Sequence, residues 1–195
     1  MDYSNLRRTV KQLLKDEWIN QKKGLRELDL THDEIRFFIR ESREMILNFL
    51  DDFIKNKGFE RTAPVIEKTL FSKNLKFLGR IDAMYRNKAP PLLVDFKTSK
   101  SKEILDDYKR QLGMYALLYR ENFGTSCALA IHFLKFKDGF KRFTVSEKYI
   151  DKIKNLVNDI HEKTSSDNIE DYPCTCGWCD KNFELKARKK NGSDR

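Results

Sequence analysis

Apolar positions recur at helical spacing in the first third of the chain. Leu6, Val10, Leu13, Leu14 and Trp18 predict one helix, which Asn20 to Gly24 interrupts. A second helix is expected to open at Thr31 or Asp33 and run to about Lys57, with Gly58 as its stop. Phe37, Phe38, Met45, Leu47, Phe49, Leu50, Phe53 and Ile54 give it more than one apolar stripe. The pattern then changes to short runs of β-branched, aromatic and aliphatic residues. Val65 to Leu70, FLGRIDAMY from Phe77 and LLVDFKTSK from Leu92 read as strands, joined by turns at Ser72 to Asn74 and Arg86 to Pro91. A helix with Ile104, Tyr108, Leu112, Tyr115 and Tyr119 inward follows, and then a loop at Asn122 to Ser126. Cys127 to Phe136 reads as a strand, Lys137-Asp138-Gly139 as a hairpin turn, and Phe140 to Val145 as the returning strand. A last helix starts near Ser146, with Thr144-x-x-Glu147 as a candidate capping box and Ile150, Ile153, Val157 and Ile160 on its apolar side. The expected order is α-α-β-β-β-α-β-β-α, an α/β fold without internal repeats.

Charged residues interrupt two of these strands. Side chains alternate faces along a strand, so Leu78, Arg80, Asp82 and Met84 are expected on one face. Leu93, Asp95 and Lys97 likewise share a face of the next strand. Two acids and a lysine on one surface beside a core are costly without compensation, because unpaired buried charge is expensive and neighbouring carboxylates repel. A hard divalent cation such as Mg²⁺ supplies that compensation through oxygen ligands. The plain alternative for an isolated D-x-K is an ion pair between Asp95 and Lys97.

The combination G-R-I-D, then V-D-F-K-T, then Q-x-x-x-Y resembles the core of the PD-(D/E)XK nuclease superfamily, in particular its RecB-like exonuclease branch. The resemblance implies a restriction-endonuclease-like αβββαβ core, with a mixed sheet flanked by helices and a helical addition at the N-terminus. It implies that Asp82 and Asp95, with the backbone carbonyl of Phe96, hold one or two Mg²⁺ or Mn²⁺ ions. It also implies that Lys97 activates water or neutralises charge at the phosphate. Gln111 and Tyr115, four residues apart and so on one helix face, would position the phosphate or Lys97. Two further metal ligands are suggested by the branch. One is His32, the only His before Asp82, whose alternative is a solvated residue at a helix start; Glu41 and Glu44 are other candidates there. The second is Glu67, whose alternative is a cross-strand ion pair.

Composition adds a partner and a compartment. There are 39 Lys and Arg against 30 Asp and Glu, a formal net charge of +9, which suits a polyanion such as single- or double-stranded DNA. Arg80, Lys100, Lys189 and Lys190 are candidate DNA contacts, the last two in a basic tail over residues 184–195. The expected organisation is a single nuclease domain over 1–183, with a helical region at 1–58, a catalytic core at 64–164 and a Cys knuckle at 173–183. No apolar run reaches the length of a membrane span or a signal peptide, so a cytoplasmic protein of prokaryotic, archaeal or viral origin is expected. Cys174, Cys176 and Cys179 are close enough to share Zn²⁺ or an iron–sulfur cluster. They resemble the C-terminal part of the four-Cys cluster set of CRISPR-adaptation nucleases. The first Cys of that set has no counterpart, since none precedes Cys127, and Cys127 is expected in the core instead.

The function these readings favour is a metal-dependent DNA nuclease, an exonuclease of replication, repair or recombination. The alternatives are a non-catalytic DNA-binding module on the same fold, or the nuclease subunit of a CRISPR-adaptation or recombination complex.

Overall fold

The computed structural model of the protein describes residues 3–56, 63–86 and 89–166. Cys174, Cys176 and Cys179, and the tail with Lys189 and Lys190, lie outside the described residues. The described elements are helices α1 (Tyr3–Asn20), α2 (Lys22–Arg26) and α3 (His32–Lys55), then strands β1 (Val65–Ser72), β2 (Phe77–Tyr85) and β3 (Leu92–Lys97). Helix α4 (Asp106–Phe123), strands β4 (Ala128–Phe133) and β5 (Phe140–Phe143), and helix α5 (Glu147–Lys163) complete the order. The chain falls into a compact unit over residues 1–154 and a second from Asn155 onward, whose described part is the last turns of α5.

The five strands form one sheet in the order β1-β2-β3-β4-β5. Neighbours are antiparallel except β3 and β4, which run parallel with α4 as the connection that parallel pairing requires. Contacts place two helices on opposite faces. Phe49 of α3 meets the Phe96 ring at 5.7 Å and the His132 ring at 5.4 Å. On the other side, Tyr108 of α4 meets the Phe133 ring at 6.2 Å, one residue along β4 from His132. On the α3 side, Ala83, Tyr85, Leu92, Val94 and Ala130 form a buried cluster packed by Phe53, Phe96, Ala128 and Phe140.

Three details differ from the expected elements. Helix α2 occupies part of the predicted break, since Lys22 to Leu25 still make helical hydrogen bonds before Glu27 ends the run. β4 ends at Phe133, not Phe136, because the Phe136 N–H turns back to the Phe133 carbonyl at 3.1 Å. The cap of α5 is Ser146 and not Thr144: its hydroxyl accepts the Tyr149 N–H at 3.2 Å and its carbonyl accepts the Ile150 N–H. Helix α3 starts in a full capping box. Thr31 Oγ1 accepts the Glu34 N–H at 3.3 Å and Glu34 Oε2 accepts the Thr31 N–H at 2.8 Å.

Candidate active site

The sheet forks at the two acids. β2 and β3 pair through Tyr85↔Leu92, Met84↔Leu93 and Ala83↔Val94, and no further. Extending that register by one residue sets Asp82 opposite Asp95. There the Asp82 carboxylate replaces a backbone rung, its Oδ2 accepting the Phe96 N–H at 2.8 Å. Beyond this point β2 stays with β1 and β3 stays with β4, so the carboxylates stand where the strands part.

Strict alternation along β2 fails at the same place. A Cβ on Gly79 would point at Leu118 and Tyr115 of α4, whereas Ala83, four residues on, lies in the cluster facing α3. Two residues an even number apart should share a face, so the strand changes face between them. The change coincides with Glu67 in the left-handed region at φ 52°, and with the missing Glu67↔Asp82 rung between Ile66↔Ala83 and Lys68↔Ile81. The register is the same on either side of the gap, so no residue is inserted and the backbone kinks without a bulge. Arg80 therefore does not share the surface of Asp82 and Met84 as expected. Its side chain points away from α4 and pairs with Glu67 at 2.7 Å, both largely exposed.

Asp95 is 2% exposed. Burial raises its pKa, the adjacent Lys97 ammonium opposes that shift, and the Asp82 charge adds to it. Asp95 Oδ2 lies 2.7 Å from Lys97 Nζ, an ion-pair distance, yet this buried oxygen accepts no aligned hydrogen bond. Close approach gives Coulomb attraction, while a hydrogen bond also needs direction. The oxygen is thus compensated in charge.

Lys97 is held from three sides. Its Nζ donates to Gln111 Oε1 at 2.6 Å, faces Asp95, and lies 4.8 Å from the centre of the Tyr108 ring. Gln111 Nε2 donates to Tyr115 Oη at 2.9 Å, and Tyr115 donates to the Arg80 carbonyl at 2.8 Å. One line of contacts therefore runs from the acids through Lys97 along α4 and back to β2. Burial, with the Asp95 charge second, pushes the Tyr115 phenol up to about 12, so it stays a neutral donor. Gln111 beside an apolar stripe has its partners here, in both Lys97 and Tyr115.

The structure thus brings Asp82, Asp95, Phe96, Lys97, Gln111 and Tyr115 together. Glu67 stands one strand away in its pair with Arg80, and Lys100 is exposed in the loop after β3. His32 is exposed in the first turn of α3. Glu41 pairs with Lys135 at 2.6 Å and Glu44 is exposed. Cys127 is a half-buried free thiol whose pKa burial pushes up to about 12, a poor state for ligating metal. No group of three or more His, Cys, Asp or Glu side chains fit for a metal ion occurs among the described residues. The donors at the fork are two carboxylates and backbone oxygen, a set that suits a hard cation.

One buried constellation has no counterpart in the sequence pattern. Asp52 of α3 is 2% exposed and accepts the Asp138 N–H at 3.1 Å and the Gly139 N–H at 2.8 Å. Its Oδ2 also lies 3.0 Å from His132 Nε2. It clasps the β4–β5 turn to α3 behind Phe96. Nothing in the spacing signals a pair 80 residues apart in sequence.

A family model for the PD-(D/E)XK nuclease superfamily matches residues 2–182. The chain belongs to that superfamily. The match spans the fork, with Asp82, Asp95 and Lys97 of this PD-(D/E)XK protein inside it. Superfamily members are nucleases that generally use divalent metal ions, so a hydrolase acting on nucleic acid is the activity that membership supports. The structure is similar to that of a "Putative exonuclease" from Eubacterium rectale, at TM-score 0.52 and 15% identity, covering 100% of this chain and 70% of that one. At such identity the likeness shows the shared fold. SSO0001 superposes less well, at TM-score 0.35 and 19% identity over 74% of this chain and 70% of that one. No curated protein matches the sequence. Among the described residues, no helix is long and apolar enough to cross a membrane.

Proposed function

We propose that this protein is a Mg²⁺- or Mn²⁺-dependent deoxyribonuclease, an exonuclease that hydrolyses DNA in replication, repair or recombination. The observation that carries the reading is the fork: the buried Asp95 lies across from Asp82 where β2 and β3 part, with Lys97 Nζ 2.7 Å from its Oδ2. Neighbouring carboxylates repel unless a cation lies between them, and a hard divalent ion with oxygen ligands supplies that charge.

Asp82 and Asp95 would hold the ion, with the Phe96 carbonyl completing the protein's share. When bound, a divalent ion lowers the pKa of water and stabilises charge on phosphate. The chain's own part is positioning and charge. Asp82 fixes Phe96 through its N–H and so sets where the next carbonyl and Lys97 project. Gln111 and Tyr115 fix Lys97, whose ammonium neutralises negative charge as the phosphodiester breaks. The net charge of +9 favours a polyanionic substrate. Arg80 and Lys100, both exposed, are the described candidates for backbone contacts.

The test uses end-labelled linear DNA, single- and double-stranded, beside a closed circle, with Mg²⁺, Mn²⁺ or EDTA. Mononucleotide release from ends, an intact circle and silence in EDTA are expected. Asp82→Ala, Asp95→Ala and Lys97→Ala should each abolish cleavage in folded protein, and the acid variants should lose calorimetric ion binding. Cleavage of wild-type rate by either acid variant refutes the site. Cleavage of the circle refutes the exonuclease assignment alone.

A further inference from the structure

The N-terminal helices enclose a cavity of about 1050 Å³ that the chemistry above does not use. It lies between α1, α2 and the first half of α3. Leu14, Trp18, Leu25, Leu30 and Ile35 line it and are half-buried. Ile19 and Ile39 extend the apolar surface outward, 58% and 39% exposed. The Trp18 indole N–H donates to Ser42 Oγ at 3.1 Å, which ties α1 to α3 beneath the opening.

Charge around this apolar surface is one-sided. Arg8, Lys11, Lys15, Lys22, Arg26 and Arg43 surround it and are exposed, and Asp29 is the one acid in the lining. Among the described residues, none of these six cations forms an ion pair. Elsewhere the acids of the same helices are engaged: Asp16 with Gln12, Glu17 with Gln21 and Asp51 with Arg7. An aliphatic trough with an uncompensated cationic rim lacks both apolar cover and counter-charge.

We infer that this cavity docks an acidic amphipathic helix of a partner protein. A helix laid in a groove inserts apolar side chains at i, i+3, i+4 and i+7, which matches an aliphatic trough between helices. Acidic residues flanking that stripe would meet the six cations, which also repel basic competitors. A nucleic-acid strand fits less well. Strand tracks use successive aromatic platforms for base stacking, whereas this lining is mainly aliphatic, with Trp18 and His32 its two rings. The inference stands apart from the nuclease reading, since no residue of the fork takes part.

The test is a display library of helix-forming 20-residue peptides, selected against the full chain. Selected peptides should be acidic and amphipathic, and their fluorescence anisotropy should report binding that weakens with salt. Ile39→Glu should weaken binding roughly tenfold or more, because it removes an apolar contact and sets a negative charge against an acidic peptide. Arg8→Glu with Arg43→Glu should weaken it similarly and flatten the salt dependence. Each variant should keep the wild-type circular dichroism and melting temperature. Basic or neutral selected peptides, binding indifferent to Ile39→Glu, or a selection that yields no binder would each overturn the inference. So would a labelled oligodeoxynucleotide that displaces the peptides and loses affinity in the same variants, which would make the cavity a DNA track.

Discussion

Removing one oxygen atom tests the line of contacts behind Lys97. Tyr115 is 6% exposed, and its hydroxyl donates to the Arg80 carbonyl at 2.8 Å while accepting from Gln111 Nε2 at 2.9 Å. Tyr115→Phe keeps the ring and deletes both bonds. Net hydrogen-bond contributions of about 1 kcal/mol each predict a loss of roughly 2 kcal/mol. For a domain of this size that is a fall of about 4–8 °C in melting temperature. The kinetic consequence is separate. Gln111 loses the group that orients its amide, and Lys97 loses its fixed acceptor at 2.6 Å. Small misplacements of a reacting group cost about 10-fold to 100-fold, so kcat should fall by that order while KM changes little. Urea titration and single-turnover cleavage at saturating Mg²⁺ measure the two effects. Gln111→Ala also deletes two hydrogen bonds and should reproduce the kinetic loss with a similar destabilisation. The two variants combined should be less than additive by about 0.5 kcal/mol or more, as expected for residues in one network. A Tyr115→Phe protein that melts as wild type and cleaves at the wild-type rate would show that the chain of contacts positions nothing.

Three further expectations follow from other parts of the molecule. Burial holds the His132 pKa below its ordinary value against the opposing pull of Asp52. The unfolded chain therefore takes up a proton that the folded one resists, so this stability is full above about pH 6.5 and is lost as pH falls toward the folded pKa; urea titrations at about pH 7.5 and pH 5.5 should show a smaller difference for His132→Gln than for wild type. Gly139→Ala would set a Cβ against the Phe133 carbonyl oxygen, with Phe136 O at 3.0 Å, so the turn must move; a loss of about 1–3 kcal/mol by urea titration is expected, as for a group forced into filled space. DNA affinity should fall steeply with salt as counterions are released; deleting residues 184–195 should flatten that slope without stopping cleavage, and an unchanged slope would exclude the tail from the interface.

The sequence by itself determined the fold class, the three motifs and the element order apart from the short helix α2. These are local properties. The period of apolar positions marks helix or strand, and G-R-I-D, V-D-F-K and Q-x-x-x-Y each lie within one element. Gln111 could be singled out for the same reason, as a polar group on an apolar helix face. Only the tertiary structure decided how those elements meet. Alternation placed Arg80 on the face of Asp82, but the left-handed Glu67 on the neighbouring strand turns β2 between Gly79 and Ala83. A period read along one strand carries no record of a backbone kink in its partner. The fork at Asp82 and Asp95 likewise depends on where β2 and β3 stop pairing. Asp52 was invisible for the plainest reason. An acid in an amphipathic helix is ordinarily solvated, and only the return of the chain at Asp138 and Gly139, with His132 beside them, gives it buried partners.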